Sequence, residues 1–266
     1  MQNERFEGAV NAGCLLWMPA LDQQEYRDVM ASLLYMQLAA TKKHSPFQHP
    51  HEWHQTFSGG LQQFGWAPLT HGYREHAAEG DFTLAQLAGA EWDMPRTQPQ
   101  QAAWEGLYAQ MARRTGKDTV LKLLQGNIAG ALGTDAGDAW AGTTPPEADS
   151  LSSGTPHVMT ASAPQPRRQP ISVPPRTAIT LQLGQVLAGR RIQLLFLHFT
   201  TRAVAGNNLL SQVFAAKDVT GKVQVKSFFA ELSEPQYGQV RERFNKLLQP
   251  HWGKQVAERL PLGGKP

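Results

Sequence analysis

Six of the nine histidines, at positions 44, 49, 51, 54, 71 and 76, fall within 33 residues. His51 and His54 stand three apart in a stretch expected to be helical, a spacing at which two imidazoles share one metal ion. A working centre needs a third ligand, for which His71, His76, Glu75 or Glu79 is available. That set defines one candidate chemistry, metal-assisted hydrolysis, although the metalloprotease pattern of two histidines separated by three residues with an intervening glutamate is not met. The bland alternative is a set of solvated or capping histidines beside a helix whose other residues, Trp53 and Phe57, are already accounted for as core. His198, inside an apolar run, reads as a core histidine whose ring nitrogens find local partners.

Other constellations are incomplete. No Gly-x-Ser-x-Gly elbow exists, and Ser58 lacks the preceding strand and glycine. Cys14, the single cysteine, has no neighbouring cation to lower its pKa, so it reads as an inert buried thiol with acylation as the functional alternative. It also rules out an internal disulfide and any multi-cysteine zinc or iron–sulfur site. Gly126, Gly130 and Gly133 match neither a dinucleotide fingerprint nor a P-loop, and no cofactor is expected. Basic residues of the C-terminal part (Arg190, Arg191, Lys222, Lys226, Arg241, Arg243, Lys246) are not interleaved with a base-stacking motif. Nucleic acid is therefore not the expected partner, and an anionic surface is the weaker alternative.

The elements that must position these residues follow from period and punctuation. Asp22 with Glu25 has capping-box form ahead of Tyr26, Val29, Met30, Leu33 and Leu34, so a helix is expected to about Thr41. Pro50 opens a second helix whose stripe is Trp53, Phe57, Leu61 and Phe64, stopped by Gly65, with Gly59 and Gly60 as internal weak points. Thr70 to Ala77 reads as a strand, and Thr83 to Ala90 and Pro99 to Arg114 as helices. Later, Ala178 to Leu183 alternates, and Ile192 to Thr200 is apolar on both faces as a central strand would be. Leu209 to Ala215 and Lys222 to Phe229 flank a hairpin-like Asp218 to Gly221. A closing helix starts at Ser233, with Tyr237, Val240, Phe244 and Leu247 or Leu248 buried. The expected fold is α+β: an N-terminal helical half packed on a C-terminal antiparallel sheet with a closing helix.

The 266 residues are 41% hydrophobic and 18% charged, with a mean hydropathy of -0.40, which describes a chain able to bury a core and without a membrane-length apolar run. Between Thr143 and Arg176 lie eight prolines, nine serines or threonines and no aromatic residue. Such a segment cannot offset its ordering entropy by burial. The chain thus divides into a mainly helical half over 1–142, a Pro/Ser/Thr-rich insertion or linker over 143–177, and a β half with its helix over 178–266, combined in one compact domain. Residues 1–141 carry 10 basic and 15 acidic side chains, whereas 178–266 carry 12 and 5. Opposite net charges of -5 and +7 favour docking of one half on the other.

The segment containing Pro50, Trp53, Phe57, Leu61, Gly65 and Trp66 resembles a pattern in an uncharacterised family of small bacterial and fungal proteins, with His54 where that family carries a tyrosine. Phe229 to Ser233 and then Tyr237, Val240 and Arg241 are similar to the family's closing strand and helix. The resemblance implies an α+β fold and supplies no activity and no catalytic residue. With no complete catalytic constellation, the expected function is non-enzymatic binding of a partner protein or an apolar or acyl ligand, for which Trp53, Phe57 and Trp66 are the candidate surface. The start of the chain, Met1 to Glu7, lacks the basic and apolar regions of a secretory leader. A cytoplasmic protein is expected, or a virulence-associated effector exported by a leaderless route.

Overall fold

The computed structural model describes residues 6–91, 106–107, 109, 128–129, 176–203 and 209–262. The protein is α+β, with an eight-stranded mixed sheet. In chain order the elements are β1 (Phe6–Asn11), β2 (Cys14–Pro19), α1 (Gln23–Lys43), α2 (Pro50–Gln63), β3 (Trp66–Ala77), α3 (Leu84–Glu91), β4 (Ile128–Ala129), β5 (Thr177–Leu187), β6 (Arg191–Thr201), β7 (Val219–Leu232), α4 (Glu234–Gln255) and β8 (Val256–Leu262). The strands run in the order β3-β7-β6-β5-β2-β1-β8, with β4 also paired to β5. No helix among the described residues is long and apolar enough to cross a membrane.

The expected segregation of helices and strands is corrected here. The first half contributes β1, β2 and β3, and β2 runs parallel to β5, so the sheet is neither wholly C-terminal nor wholly antiparallel. β1 and β2 form a hairpin around Ala12 and Gly13, whose φ angles of 46° and 89° meet the need of a tight two-residue turn for positive φ at both positions. The expected strand Leu209 to Ala215 is not one. Only Phe214 makes a bridge, to Phe82, and Leu209, Leu210 and Phe214 are buried as cover for the sheet. Nor is Asp218 to Gly221 a hairpin: a short 3-10 turn at Ala216–Asp218 leads straight into β7, which pairs with β6 and β3. The Pro-rich segment 143–175 and the helix expected over Pro99 to Arg114, apart from Gly106, Leu107 and Ala109, lie outside the described residues.

The helices begin where side chains satisfy their free amides. Asp22 accepts from the Glu25 amide at 2.7 Å to cap α1. Pro50 occupies the first turn of α2. Thr83 and Gln86 form a reciprocal capping box at α3, with bonds of 2.9 and 3.1 Å. Gly65, at φ 99°, ends the α2 segment, and its carbonyl accepts from the Ser233 amide at 2.8 Å.

Both faces of the sheet are covered, which explains the doubly apolar β6. On one face Leu16, Met18, Leu194, Phe196 and Phe228 pack under α1, α2 and α4. On the other, Leu15, Leu181, Leu195, Leu197 and Val225 meet Phe82, Leu84, Ala88, Leu210 and Phe214. The charge asymmetry reappears as ion pairs between the halves. Asp28 of α1, 1% exposed, receives two bonds from Arg241 of α4 at 2.9 and 2.8 Å. Arg190 approaches Glu25 at 3.7 Å, and Lys222 meets Glu75 at 3.0 Å.

Candidate functional site

Of the four histidines singled out for metal binding, His51, His54 and His71 lie near one another, whereas His76 does not join them. In β3, His71 and Tyr73 lie opposite Phe228 and Lys226, on the face under α2, whereas His76 lies opposite Val223, which packs in the other core. Side chains alternate along a strand, so the odd spacing between 71 and 76 sends them to opposite faces. Among the described residues no group of three His, Cys, Asp or Glu side chains is placed to hold a metal ion. Between His51 and the sheet stands Lys226, whose Nζ lies 3.3 Å from His51 Nδ1 and 3.4 Å from the Pro50 carbonyl oxygen. An ammonium in that position repels a second cation, which weighs against a metal centre at His51 and His54.

The surroundings of Lys226 form a distinct basic centre. Register places Lys226 between Tyr73 of β3 and Phe196 of β6, with Nζ 5.6 and 6.0 Å from the two ring centroids. The His54 ring lies 5.6 Å from that of Phe196. Burial, reinforced by Lys226, His71 and His51, pushes the His54 pKa down to about 3. His198 faces the same side two residues along from Phe196, and burial together with Lys226 brings it down to about 4. Lys226 itself, 3% exposed, is pushed down to about 8 by burial, against the attraction of Glu52. His71 lies outside this packing, its Nε2 3.4 Å from Gln62 Nε2.

Trp53, Phe57 and Trp66 are core side chains, 4, 2 and 0% exposed. Trp53 stacks between Phe57 and Phe196, at centroid distances of 5.2 and 5.4 Å, and its indole donates to Thr41 Oγ1 at 3.0 Å. Trp66 donates to Ser32 Oγ at 3.0 Å. Each indole N–H is thus satisfied inside the protein, and the expected aromatic ligand surface is consumed in packing α2 on the sheet. Cys14 is buried, which raises its thiol pKa far above the ordinary value. A β-carbon on neighbouring Gly184 would lie 2.8 Å from Leu194 Cδ2 and 3.6 Å from the Cys14 sulfur, so the surroundings of the thiol are closely packed. Burial and the raised pKa favour a structural thiol over acylation at Cys14.

The cavity that sequence reasoning missed lies between α1 and α2. It measures about 660 Å³, with Tyr35, Met36, Ala39 and Phe64 as apolar lining and Lys43, His44, Glu52, Gln55, Thr56 and Gln63 as polar lining. Its shape depends on Gly59 and Gly60, which also line it. At Gly60 a β-carbon would meet the end of the flexible Met36 side chain, 2.7 Å from its sulfur, so that side chain would have to shift. Gly59 is different: a β-carbon would meet nothing within 4 Å. A glycine inside a helix costs roughly 0.5–1 kcal/mol relative to alanine. The fold makes no contact that explains that cost, and the signal was visible in the sequence as a paired glycine interrupting an otherwise well-formed helix.

No protein-family model, no curated protein and no solved structure matches the chain.

Proposed function

We propose that this is a binding protein whose ligand occupies the groove between α1 and α2, a molecule with an apolar body and polar groups at its periphery. The observation that carries the reading is Gly59, a helix-interior glycine that no packing requires and that leaves bare backbone in the cavity. A volume of about 660 Å³ falls in the range of small-molecule sites, and mixed apolar and polar lining is their usual composition. The proposal is one of binding, with no catalytic step. It replaces the aromatic surface of Trp53, Phe57 and Trp66 with Tyr35, Met36, Ala39 and Phe64.

The test uses anilinonaphthalene sulfonate, a fluorescent probe with an apolar body and one polar group. Saturable binding at one site per chain is expected, and Gly59→Trp should abolish it by filling the groove from a position with open space. Gly59→Ala controls for folding and should retain the probe. Dye binding that survives Gly59→Trp unchanged, or no saturable binding by the wild-type protein, sinks the proposal.

A further inference from the structure

We propose that Lys226 is the centre of a second site, separate from the groove, that binds a small oxyanion beneath the first turn of α2. Lys226 is 3% exposed and belongs to no ion pair among the described residues. Its two polar contacts, the Pro50 carbonyl at 3.4 Å and His51 Nδ1 at 3.3 Å, are long, and neither is a carboxylate. Glu52, the carboxylate whose charge Lys226 feels, is fully exposed and engaged with its own backbone amide. A buried ammonium without a counter-ion is costly, and an anion seated beside it removes the cost.

The neighbouring groups point the same way. His51, His54 and His198 surround Lys226 with further basic nitrogen, and His71 adds to the field at His54. His198, 9% exposed, leaves Nδ1 buried without a partner, and Gln224, opposite it in the register, leaves Oε1 likewise. A hydrogen phosphate has both acceptor oxygens for Lys226 and imidazole N–H groups and a hydroxyl donor for an amide oxygen. The enclosed position of Nζ, with Lys226 3% exposed, suits a small anion and not an extended polyanion. Because the ammonium must be present to bind, affinity follows its titration, whose midpoint burial has lowered to about 8.

Inorganic phosphate is the probe, titrated into full-length protein at constant ionic strength against chloride and read by calorimetry and thermal unfolding. Saturable binding is expected at pH 7.5, weaker by about tenfold at pH 9, where roughly a tenth of the free ammonium remains. Lys226→Met, which keeps the volume and the apolar contacts with Tyr73 and Phe196, should lose the binding, and Lys226→Arg should keep it. In the wild-type protein, the Lys226 side-chain NMR titration should shift upward by at least about one pH unit when phosphate is bound, a readout independent of whether any variant folds. An acetate arm separates the sources: phosphate alone defines a phosphate site, and saturation by both defines a general oxyanion site. Absence of saturation with both anions, binding retained by Lys226→Met, or an unmoved Lys226 titration overturns the proposal. Gly59→Trp should leave phosphate binding intact, so failure at one site is distinguishable from failure at the other.

Discussion

His54 and His198 should make the protein acid-sensitive well above the range in which carboxylates protonate. Both are held neutral by burial, with folded pKa values of about 3 and about 4 against 6.5 for the free side chain. Between those limits the unfolded chain binds more protons than the folded one, so stability rises with pH and is lost as pH falls below 6.5. At pH 5 the gap to 6.5 is about 1.5 units, and at about 1.4 kcal/mol per unit each histidine removes about 2 kcal/mol. Together they subtract about 4 kcal/mol from a domain stability of order 5–15 kcal/mol. The perturbation that isolates one term is His54→Phe, whose ring takes the place of an imidazole already beside Phe196. Urea unfolding followed by tryptophan fluorescence at pH 7.5 and pH 5 gives the difference between wild type and variant. The variant should gain about 2 kcal/mol relative to wild type on moving to pH 5. A difference that stays constant between the two pH values, or moves in favour of the wild type, refutes the reasoning.

Two further outcomes follow from the charges. Asp28→Asn should cost about 2–3 kcal/mol in the same assay, because it strips Arg241 of a bidentate partner that is 1% exposed; the double variant Asp28→Leu with Arg241→Met should recover most of that loss. Lys226→Met should be more stable than wild type at pH 7 without phosphate, by up to about 3 kcal/mol from a pKa lowered from 10.5 to about 8. The sign is that of a base with a depressed folded pKa: the penalty is present below pH 8 and relieved as pH rises toward 10.5. The advantage of the variant should therefore shrink across that window in paired unfolding curves, and an advantage that grows with pH contradicts it.

Much of the fold is legible in the sequence where local signals and tertiary needs agree. Asp22, Pro50 and Ser233 mark helix starts that the structure uses, and the doubly apolar β6 reads correctly as a central strand. The hairpin of β1 and β2 is not legible, since Ala12 takes a positive φ without the usual asparagine or aspartate and both strands are buried on both faces, which erases alternation. Leu209 to Phe214 deceives in the opposite direction: its apolar residues cover a sheet face without joining the ladder. At the site, parity along β3 decides what one-dimensional spacing could not, by sending His76 away from His71. Nothing in the sequence sets Lys226 apart from the other basic residues of the C-terminal part, because it does not show that α2 lies over one end of the strand that carries Lys222 and Lys226. Lys222 is exposed and paired with Glu75, whereas Lys226, four residues on, is enclosed.

That difference sharpens the meaning of the opposed charges of the two halves. Complementary potentials predict that basic groups of the C-terminal half find acidic groups of the N-terminal half, and Arg241 with Asp28, Arg190 with Glu25, and Lys222 with Glu75 do so. Between β7 and α2, by contrast, Lys226 lies against His51 and a backbone carbonyl instead of a carboxylate. A substitution to an apolar residue would fill that space at lower energetic cost, since Tyr73 and Phe196 already supply apolar walls. Retaining a lysine there is a cost to folding that the proposed anionic occupant would offset.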